Sequence, residues 1–592
     1  MRLSLLSLAG LAAVVGALVS VPKPTAAVAQ QPPPVINRVP PPPEFSQPQS
    51  AARPAPFPVT MVDQGQFDPR LKGYYLPEGF RLEIVLSEPD VVNPVGMTFG
   101  PDGSLFVMEW RPDPVARDRW FPVMETFRYR DGTTRQVTTM KKFTTDVVKH
   151  FTHNARTGRF DPPRVIIAEE LPSSILWHDG WLYVTGRGTV RRWRQAPATN
   201  ISGIDTSRPG APGDPWNVRE TVAQGFCGFH HHQVSGLTIG NDGLLYITSG
   251  DDDNYVEGSD GSRATVLRTG AVFRCRPDGS RMEVFSVGYR NPYRDLAYDD
   301  HFNWFHTDND NEDGSKFMGC RIMHVAEAAD FGWRLRYGAR CCRPDDARVS
   351  VAGELPGTLP PMIKTGRGSP AGLLIYHDTR VPAPYRGLLY YPDVFRRVVR
   401  AYRTAPAGST FQITNEFEFL KSDDPLFRPC QMVTGPDGAM YVCDWRTDSG
   451  GAGKLSGDGV NGRVYRVRWA GAGQQPELPL RGMDSWAKVK AMPDAALVDA
   501  LGLPDLTDRV EARKELVRRG DKARDLVLAR YTGGQITGDA RLPAIGVLTA
   551  GWSAEVDALF RRLLADESAD VRRLVVEALG NNTKKGDAAS RR

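Results

Sequence analysis

The chain has 592 residues, of which 41% are hydrophobic and 24% are charged, so it is long enough for two or more globular domains. Its formal net charge is only +5, and no run of arginine and lysine is interleaved with aromatic residues, which argues against a nucleic-acid-binding protein. Seven cysteines are too few for a disulfide scaffold, and without a C-x-x-C-H motif the sequence has no attachment site for covalent c-type haem.

The N-terminus has the pattern of a secretory signal peptide over residues 1–29. Arg2 precedes an apolar run over residues 3–21, and residues 27–29 (Ala-Val-Ala) form a small-residue cleavage site. Residues 30–62 are rich in proline and lack periodicity, which predicts a linker. Because no later stretch is long and apolar enough to span a membrane, we expect an exported chain that is soluble in the periplasm or outside the cell.

Residues 63–470 contain six repeated units, each of which reads as a strand, a tight turn and a second strand. Three near copies carry an Asp-Gly pair, which supplies the backbone conformation that a tight hairpin needs, at 102–103, 242–243 and 437–438. Weaker copies lie at 174–184, 294–305 and 371–391. Repetition without helices between the units predicts a six-bladed β-propeller. The charged segment at about 111–164 is too long for a blade connection, so we expect an insertion that caps one face.

After Trp469 the pattern becomes helical. Segments 510–520, 541–551 and 571–580 recur about every 30 residues, as in helix-pair repeats of the HEAT type. We therefore expect a small α-helical repeat domain over residues 471–580, which either docks a partner protein or only caps the propeller. Residues 581–592 are polar and are predicted to be a frayed, disordered tail.

Two cysteine pairs are candidates for disulfides. Cys341 and Cys342 are adjacent, and are either a vicinal disulfide or two small buried side chains. Cys430 and Cys443 flank a predicted hairpin, which makes them the better candidates for an ordinary bridge.

Two polar segments precede predicted blades, where a propeller gathers side chains at the mouth of its channel. The first contains His230, His231 and His232; in an extended chain the outer two share a face, which suits metal ligands, one general base, or hydrogen-bonded structural histidines. The second contains Arg290 and Asn291, whose cation and amide suit the polarisation of a carbonyl group or the binding of a carboxylate. The alternative for this pair is a turn with a solvated arginine.

A third segment, residues 307–314, concentrates the hard oxygen ligands of Asp308, Asn309 and Asp310. Calcium is the natural partner of such a loop, and an acidic solvated loop is the alternative. The loop is not an EF-hand, because counting from Asn309 places Cys320 where the bidentate glutamate belongs.

The order of these motifs resembles that of soluble quinoprotein glucose dehydrogenase and the glucose/sorbosone dehydrogenases. The shared features are His232-Gln-x-Ser-Gly, then Gly250-Asp251, then Arg290-Asn291-Pro292, then the acidic loop. A closer resemblance, over residues 76–580, is to the PVC-type membrane-bound dehydrogenases, a propeller followed by HEAT repeats. It rests on Leu76-Pro-Glu-Gly-Phe, the loop at 308–310 and Phe331-Gly-Trp-Arg.

The resemblance implies an oxidoreductase that depends on pyrroloquinoline quinone (PQQ) and calcium. His232 would be the base that takes a proton from a sugar, polyol or alcohol. Arg290 and Asn291 would polarise the quinone carbonyl, Arg428 would face the cofactor, and residues 308–310 would hold calcium. Electrons would pass to a separate carrier such as a cytochrome c. Two alternatives stay open, because fold alone does not decide function: a non-catalytic propeller scaffold that binds carbohydrate or protein, and a metal-dependent hydrolase or lactonase.

Overall fold

The computed structural model describes residues 54–111, 146–196, 215–228, 232–309, 319–334, 357–366, 368–447 and 457–583, and the backbone of 120–128 and 134–142. These residues contain 33 β-strands and seven α-helices. The chain from Pro54 onward is one compact unit. None of the described helices combines the length and the hydropathy needed to cross a membrane.

The strands run in chain order from Ala55 to Trp469. The first twelve are β1 (Ala55–Pro56), β2 (Met61–Asp63), β3 (Tyr74–Pro77), β4 (Phe80–Ser87), β5 (Pro94–Phe99), β6 (Leu105–Glu109), β7 (Trp120–Arg128), β8 (Thr134–Lys142), β9 (Val147–Phe151), β10 (His153–Asn154), β11 (Arg159–Phe160) and β12 (Arg164–Ala168). The next ten are β13 (Ile175–His178), β14 (Trp181–Gly186), β15 (Thr189–Arg194), β16 (Val218–Gln224), β17 (Gly236–Ile239), β18 (Leu245–Ser249), β19 (Asn254–Gly258), β20 (Arg263–Val266), β21 (Gly270–Cys275) and β22 (Glu283–Tyr289). The last eleven are β23 (Ala297–Tyr298), β24 (Trp304–Asp308), β25 (Cys320–Val325), β26 (Ile363–Gly366), β27 (Leu374–Ile375), β28 (Leu389–Asp393), β29 (Val398–Ala407), β30 (Thr410–Ser422), β31 (Pro429–Thr434), β32 (Met440–Asp444) and β33 (Arg463–Trp469).

These strands form six sheets of four or more strands. In chain order the sheets are β5-β6-β9-β12, β13-β14-β15-β16 with β19-β20 added, β17-β18-β21-β22, β23-β24-β25-β26, β27-β28-β29-β30 with β3, β2 and β1 added, and β31-β32-β33-β4. We call them the first to the sixth sheet. The hairpins β7-β8 and β10-β11 are separate two-stranded sheets.

The first strands of the sheets surround a common axis. Met97 N–H of β5 donates to Gln431 Oε1 of β31 at 2.7 Å, and Trp177 N–H of β13 donates to Thr98 Oγ1 of β5 at 3.3 Å. In the sixth sheet the outermost strand is β4 from the N-terminal side, which pairs with β33 from Phe80 opposite Trp469 onward. This arrangement confirms the prediction of a mainly β propeller.

The predicted count of six blades stays a prediction, because the sheets are unequal in size. Each predicted unit does correspond to the first two strands of one sheet, but only four of the six sheets are four-stranded. The second sheet gains β19 and β20, a hairpin inserted into the third sheet that pairs across to β16 through Ala223 and Gly258. The fifth gains strands from the N-terminal side, where β3 pairs with β30. Short alternating patterns predict a hairpin but not the sheet to which it attaches.

The Asp-Gly turns form as the sequence predicts. Gly103, Gly243 and Gly438 have φ values of 85°, 79° and 81°, which glycine adopts without steric cost. In each turn the preceding aspartate accepts a hydrogen bond from the backbone N–H two residues further on. The turns therefore mark one end of the propeller, and the starts of the first strands mark the other.

The predicted insertion at about 111–164 includes residues that belong to the first sheet. Strands β9 and β12 belong to the first sheet, so the part of the chain between the sheet strands is the segment from the end of β6 to Asp146, which contains the β7-β8 hairpin. Lys149 in β9 obscured the strand pattern, because it is buried and its ammonium lies 2.9 Å from Glu109 Oε1. In a sequence, a charged residue indicates an exposed position, so a buried one hides the pattern of a strand.

The expected disulfide between Cys430 and Cys443 is absent, since both thiols are free and buried. The register of β31 against β32 shifts between Pro429 and Gln431, so the two cysteines do not lie directly opposite each other. The thiol of Cys430 instead contacts the carbonyl oxygens of Pro94 and Cys443, each at 3.4 Å. Cys341 and Cys342 lie outside the described residues.

A helical region follows the propeller and shares one apolar core. Its helices are α1 (Ser485–Lys490), α2 (Asp494–Ala500), α3 (Leu506–Arg519), α4 (Asp521–Thr532), α5 (Arg541–Ala550), α6 (Ala554–Leu563) and α7 (Ala569–Thr583). They pack against the end of the propeller that carries the Asp-Gly turns. Ala487 N–H donates to Pro101 O at 2.9 Å, Asn241 Nδ2 donates to Leu542 O at 3.0 Å, and Ser485 Oγ donates to Pro436 O. The helices thus cover the turn end of the propeller; their HEAT-like nature and partner docking stay predictions.

Candidate active site

A repeated hydrogen bond fixes the end of the propeller that faces away from the helices. In five sheets, a side chain near the end of the second strand accepts hydrogen bonds from backbone N–H groups just before the first strand. The acceptors and donors are Glu109 with Val92, Thr185 with Ser173 and Ser174, Asp308 with Arg290 and Asn291, Asp393 with Ser369, and Asp444 with Arg428. Arg290, Asn291 and Arg428 therefore occupy corresponding positions on one end of the propeller.

In the third sheet, the carboxylate that follows the second strand contacts a side chain that precedes the first strand. Asp251 lies two residues after β18, and its Oδ1 is 2.7 Å from Nδ1 of His232, which precedes β17. The indole Nε1–H of Trp333 donates to the other oxygen, Asp251 Oδ2, at 2.9 Å. All three side chains are fully buried. A carboxylate bonded to Nδ1 favours the tautomer in which Nδ1 carries the proton and Nε2 is the acceptor, as a general base requires.

Trp333 reaches this position because the chain after β25 turns back along β22. Ala328 N–H donates to Phe285 O at 2.7 Å, Phe331 N–H to Val287 O at 3.0 Å, and Trp333 N–H to Gly288 O at 3.1 Å. Gly288 has a φ of 94°, and a Cβ atom there would lie 2.2 Å from the Phe331 nitrogen. Glycine is therefore required for the segment to approach β22 so closely.

Arg290 lies beside the same indole, and Asn291 follows it in the chain. The guanidinium of Arg290 is fully buried, its Nη1 donates to Asn309 O at 2.5 Å, and its Cζ is 6.0 Å from the centroid of the Trp333 ring. The side-chain oxygen of Asn291 is buried and has no hydrogen-bond partner among the described residues. The structure thus brings His232 and Arg290 together around Trp333, with Asn291 next to Arg290 in the chain.

Asp308 is held by nitrogen donors on both of its oxygens. Oδ1 accepts from Asn291 N–H at 2.8 Å, and Oδ2 accepts from Arg290 N–H at 2.9 Å and from Arg321 Nη2 at 2.6 Å. The adjacent guanidinium of Arg321, itself fully buried, would repel a cation. These contacts fit a structural carboxylate of the repeated type and do not fit a calcium ligand.

Asn309 and Asp310 are the other two predicted calcium ligands. The backbone oxygen of Asn309 accepts from Arg290, and its side-chain oxygen is 3.7 Å from the Cys320 thiol. Asp310 lies outside the described residues. Within the described ranges no group of three His, Cys, Asp or Glu side chains is arranged to hold a metal ion.

Arg428 begins the sixth sheet at the same end of the propeller. Its N–H donates to Asp444 Oδ1 at 2.7 Å, and Tyr465 OH donates to Asp444 Oδ2 at 3.1 Å. Burial raises the pKa of Asp444 to about 6, although the N–H donors and Arg446 oppose this shift. Arg428 is nearly buried, so its side chain lies within this end of the protein.

Arg294 crosses the axis of the propeller shortly after Arg290. It is buried with a φ of 82°, a conformation that is rare outside glycine and that costs free energy. Its Nη1 donates to Ser173 O at the start of the second sheet. A Cβ atom at Gly96 of the first sheet would lie 2.7 Å from that nitrogen, and one at Gly372 before the fifth sheet would lie 2.8 Å from Arg294 Cβ. Arg294 therefore places a buried positive charge at the axis.

Four of these residues were not assigned to a site from the sequence. Asp251 and Trp333 belong to the motifs on which the family resemblance rests, so those motifs were the signal that could have assigned them to the site. Arg294 and Arg321 gave no signal, because the sequence does not indicate that an arginine is buried. His230 and His231 lie outside the described residues, so of the histidine triplet only His232 is placed.

Comparison with known proteins identifies a family but no characterised relative. A family model described as "Domain of unknown function (DUF7133)" matches residues 69–191 and 213–448. No curated protein matches the sequence.

Several solved structures align with part of this chain at low identity. The PQQ domain of pyranose dehydrogenase from Coprinopsis cinerea, in its holo form, is 14% identical over 70% of this chain and 98% of its own, with a TM-score of 0.42. The soluble aldose sugar dehydrogenase of Escherichia coli is 14% identical over 66% and 99%, with a TM-score of 0.40. A carbohydrate-active enzyme of family AA12 from Trichoderma reesei is 12% identical over 67% and 98%, with a TM-score of 0.42. Such values carry no information about the chemistry of this chain.

Proposed function

We propose that this chain, which belongs to the family described as a domain of unknown function (DUF7133), is a dehydrogenase that oxidises a sugar, polyol or alcohol with PQQ as its cofactor. The observation that carries the proposal is the buried cluster in which His232 is bonded to Asp251 and lies with Arg290 around Trp333. The base would take the proton of a substrate hydroxyl, and the fixed cation would stabilise the negative charge that develops on the group that accepts the hydride.

The residues of the cluster fit an anionic quinone. Arg290 offers a buried guanidinium, Asn291 an amide whose nitrogen can donate a hydrogen bond, and Arg428 a second cation at the corresponding position of the sixth sheet. Arg294 adds positive charge at the axis. When bound, PQQ would supply the two-electron acceptor that none of the side chains provides.

His232 would take the proton of the substrate hydroxyl at Nε2. Asp251 would hold the imidazole ring in the required tautomer and stabilise the imidazolium that forms, while Arg290 and Asn291 would stabilise negative charge that develops opposite the base. A general base contributes about 10²- to 10⁴-fold in rate, and this range sets the expected effect of removing His232.

Calcium does not enter this mechanism through Asp308. Three N–H donors, one of them a guanidinium, already occupy its two oxygens, and a divalent cation would have to displace them.

Export and transfer of electrons to a separate carrier belong to the proposal, and the signal sequence that suggests export lies outside the described residues.

Reconstitution of the purified full-length protein tests the proposal. PQQ is added with and without calcium, cofactor absorbance is followed, and dye reduction is measured over a panel of sugars, polyols and alcohols. We expect binding at micromolar PQQ and turnover of at least one class of substrate. The proposal fails if the protein binds no PQQ at that concentration.

Histidine variants separate catalysis from binding. His232→Ala should abolish turnover and leave PQQ binding largely intact, because the imidazole acts on the substrate proton. His324→Ala is the matched control, since this histidine contacts Thr410 on β30, away from the cluster. Equal loss of binding and turnover in His232→Ala would assign His232 to structure rather than to catalysis.

A further inference from the structure

We propose that Trp333 is a positioning residue that couples the base His232 to the guanidinium of Arg290. The inference rests on the proposed function, and it adds a residue to which no catalytic role had been given. One indole makes both contacts: its N–H meets the carboxylate that holds His232, and its ring lies against Arg290.

The first contact controls the charge on Asp251. Both of its oxygens accept a hydrogen bond, one from His232 Nδ1 at 2.7 Å and one from Trp333 Nε1 at 2.9 Å. Because the group is completely buried, each donor strongly affects how much negative charge faces the other. The indole N–H thus draws charge away from the oxygen that faces His232 and fixes the rotation of the carboxylate.

The second contact holds the cation. Arg290 Cζ lies 6.0 Å from the Trp333 ring centroid, at the outer limit of a cation–π contact, and both side chains are fully buried. Movement of the indole would therefore change the environment of the base and of the guanidinium together.

The fold holds the indole rigidly. Arg321 donates to Phe331 O at 2.7 Å, to Gly288 O at 3.1 Å and to Asp308 Oδ2 at 2.6 Å. Asp308 in turn accepts the backbone N–H of Arg290. One buried arginine therefore ties the segment that carries Trp333 to the segment that carries Arg290.

Trp333→Phe tests the coupling, because it keeps an aromatic ring and removes the N–H. In the reconstituted holoenzyme we expect kcat to fall about 10-fold, with little change in the KM for the sugar. With one donor lost, more charge on Asp251 faces His232 and favours the imidazolium. The acidic limb of the pH–rate profile should therefore move to higher pH.

Trp469→Phe is the matched control. This indole is also buried and also donates a hydrogen bond, to Pro476 O at 2.9 Å, but it lies at the end of β33 outside the cluster. It should leave kcat and the pH profile unchanged. If Trp333→Phe behaves like the control, or lowers kcat without moving the profile, the coupling is refuted.

A second readout does not depend on turnover. The Nδ1 proton of His232 is followed by nuclear magnetic resonance in the full chain without cofactor and is assigned by its loss in His232→Asn. It should shift in Trp333→Phe and not in Trp469→Phe; no shift in either variant overturns the proposal. If wild type turns over no substrate, the proposed function fails, and this measurement still decides the coupling. Should Trp333→Phe not fold, the benzothiophene analogue of tryptophan at position 333 keeps the shape without the N–H and is measured in the same way.

Discussion

Arg481 joins the propeller to the helical region through a buried cluster of carboxylates. Its Nη2 donates to Asp378 Oδ2 at 2.8 Å, and its Nη1 lies 2.9 Å from Asp505 Oδ2 and 2.7 Å from Asp508 Oδ2. Asp378 precedes β28, whereas Asp505 and Asp508 lie at the start of α3. Burial raises the pKa of Asp508 to about 6, and the neighbouring aspartates add to this shift against the effect of Arg481. The cluster is thus poorly solvated even when its cation is present.

Arg481→Met should lower the free energy of unfolding by about 3 to 5 kcal/mol, the loss expected when one partner of a buried ion pair is removed. The Arg481 side chain is 13% exposed, so water is a poor replacement for its guanidinium, and Arg380 Nη2, 3.4 Å from Asp505 Oδ2, still faces only one of the three carboxylates. Addition of Asp508→Asn to this variant removes one uncompensated charge and should restore about 1 kcal/mol or more.

Urea unfolding followed by far-ultraviolet circular dichroism and tryptophan fluorescence measures both effects. Arg561→Met is the control, because it removes an exposed pair with Asp557 on α6 and should not move the transition. A loss below about 1 kcal/mol in Arg481→Met, as for a surface pair, would refute the view that this cluster holds the helices on the propeller.

Two further predictions concern a carboxylate and a histidine. Asp308→Asn should destabilise the protein by about 3 to 5 kcal/mol in urea unfolding, because the buried guanidinium of Arg321 loses this carboxylate. Chelation of calcium from wild type should have no such effect, and an equal effect would restore Asp308 as a ligand. Burial lowers the pKa of His301, but the bond to Asp570 on α7 and the nearby Asp300 outweigh this and raise it above 6.5. The His301 contact should therefore stabilise the protein fully below pH 6.5 and be lost as the pH rises through the raised value; His301→Gln should remove this slope from the pH dependence of the thermal midpoint, and an unchanged slope would contradict the assignment.

The hairpin units were predictable because their determinants are local. An Asp-Gly pair between alternating apolar residues specifies a tight turn, as Gly103, Gly243 and Gly438 show. Which strands complete a sheet depends on contacts between distant parts of the chain, as with β19 and β16 or β4 and β33. The sequence contains no short-range pattern for such pairings.

The candidate site was predictable in its residue types but not in their contacts. His232 and Arg290 do lie around one indole, whereas the catalytic roles of His232, Arg290 and Asn291 stay predictions. Asp308 shows the limit of composition: an acidic loop predicts a cation, but the donors around the carboxylate come from Arg321 and from the backbone of another segment. A carboxylate's partner cannot be read from its own sequence neighbours.

The pairing of β4 with β33 also has a consequence for biosynthesis. Phe80 leaves the ribosome early and finds its partner Trp469 only after the rest of the propeller has been made. Until then β4 exposes both hydrogen-bonding edges, and such edges are prone to pair with other chains. Products that terminate before Arg463 would keep β4 unpaired permanently. Premature termination should therefore yield aggregation-prone chains rather than smaller propellers.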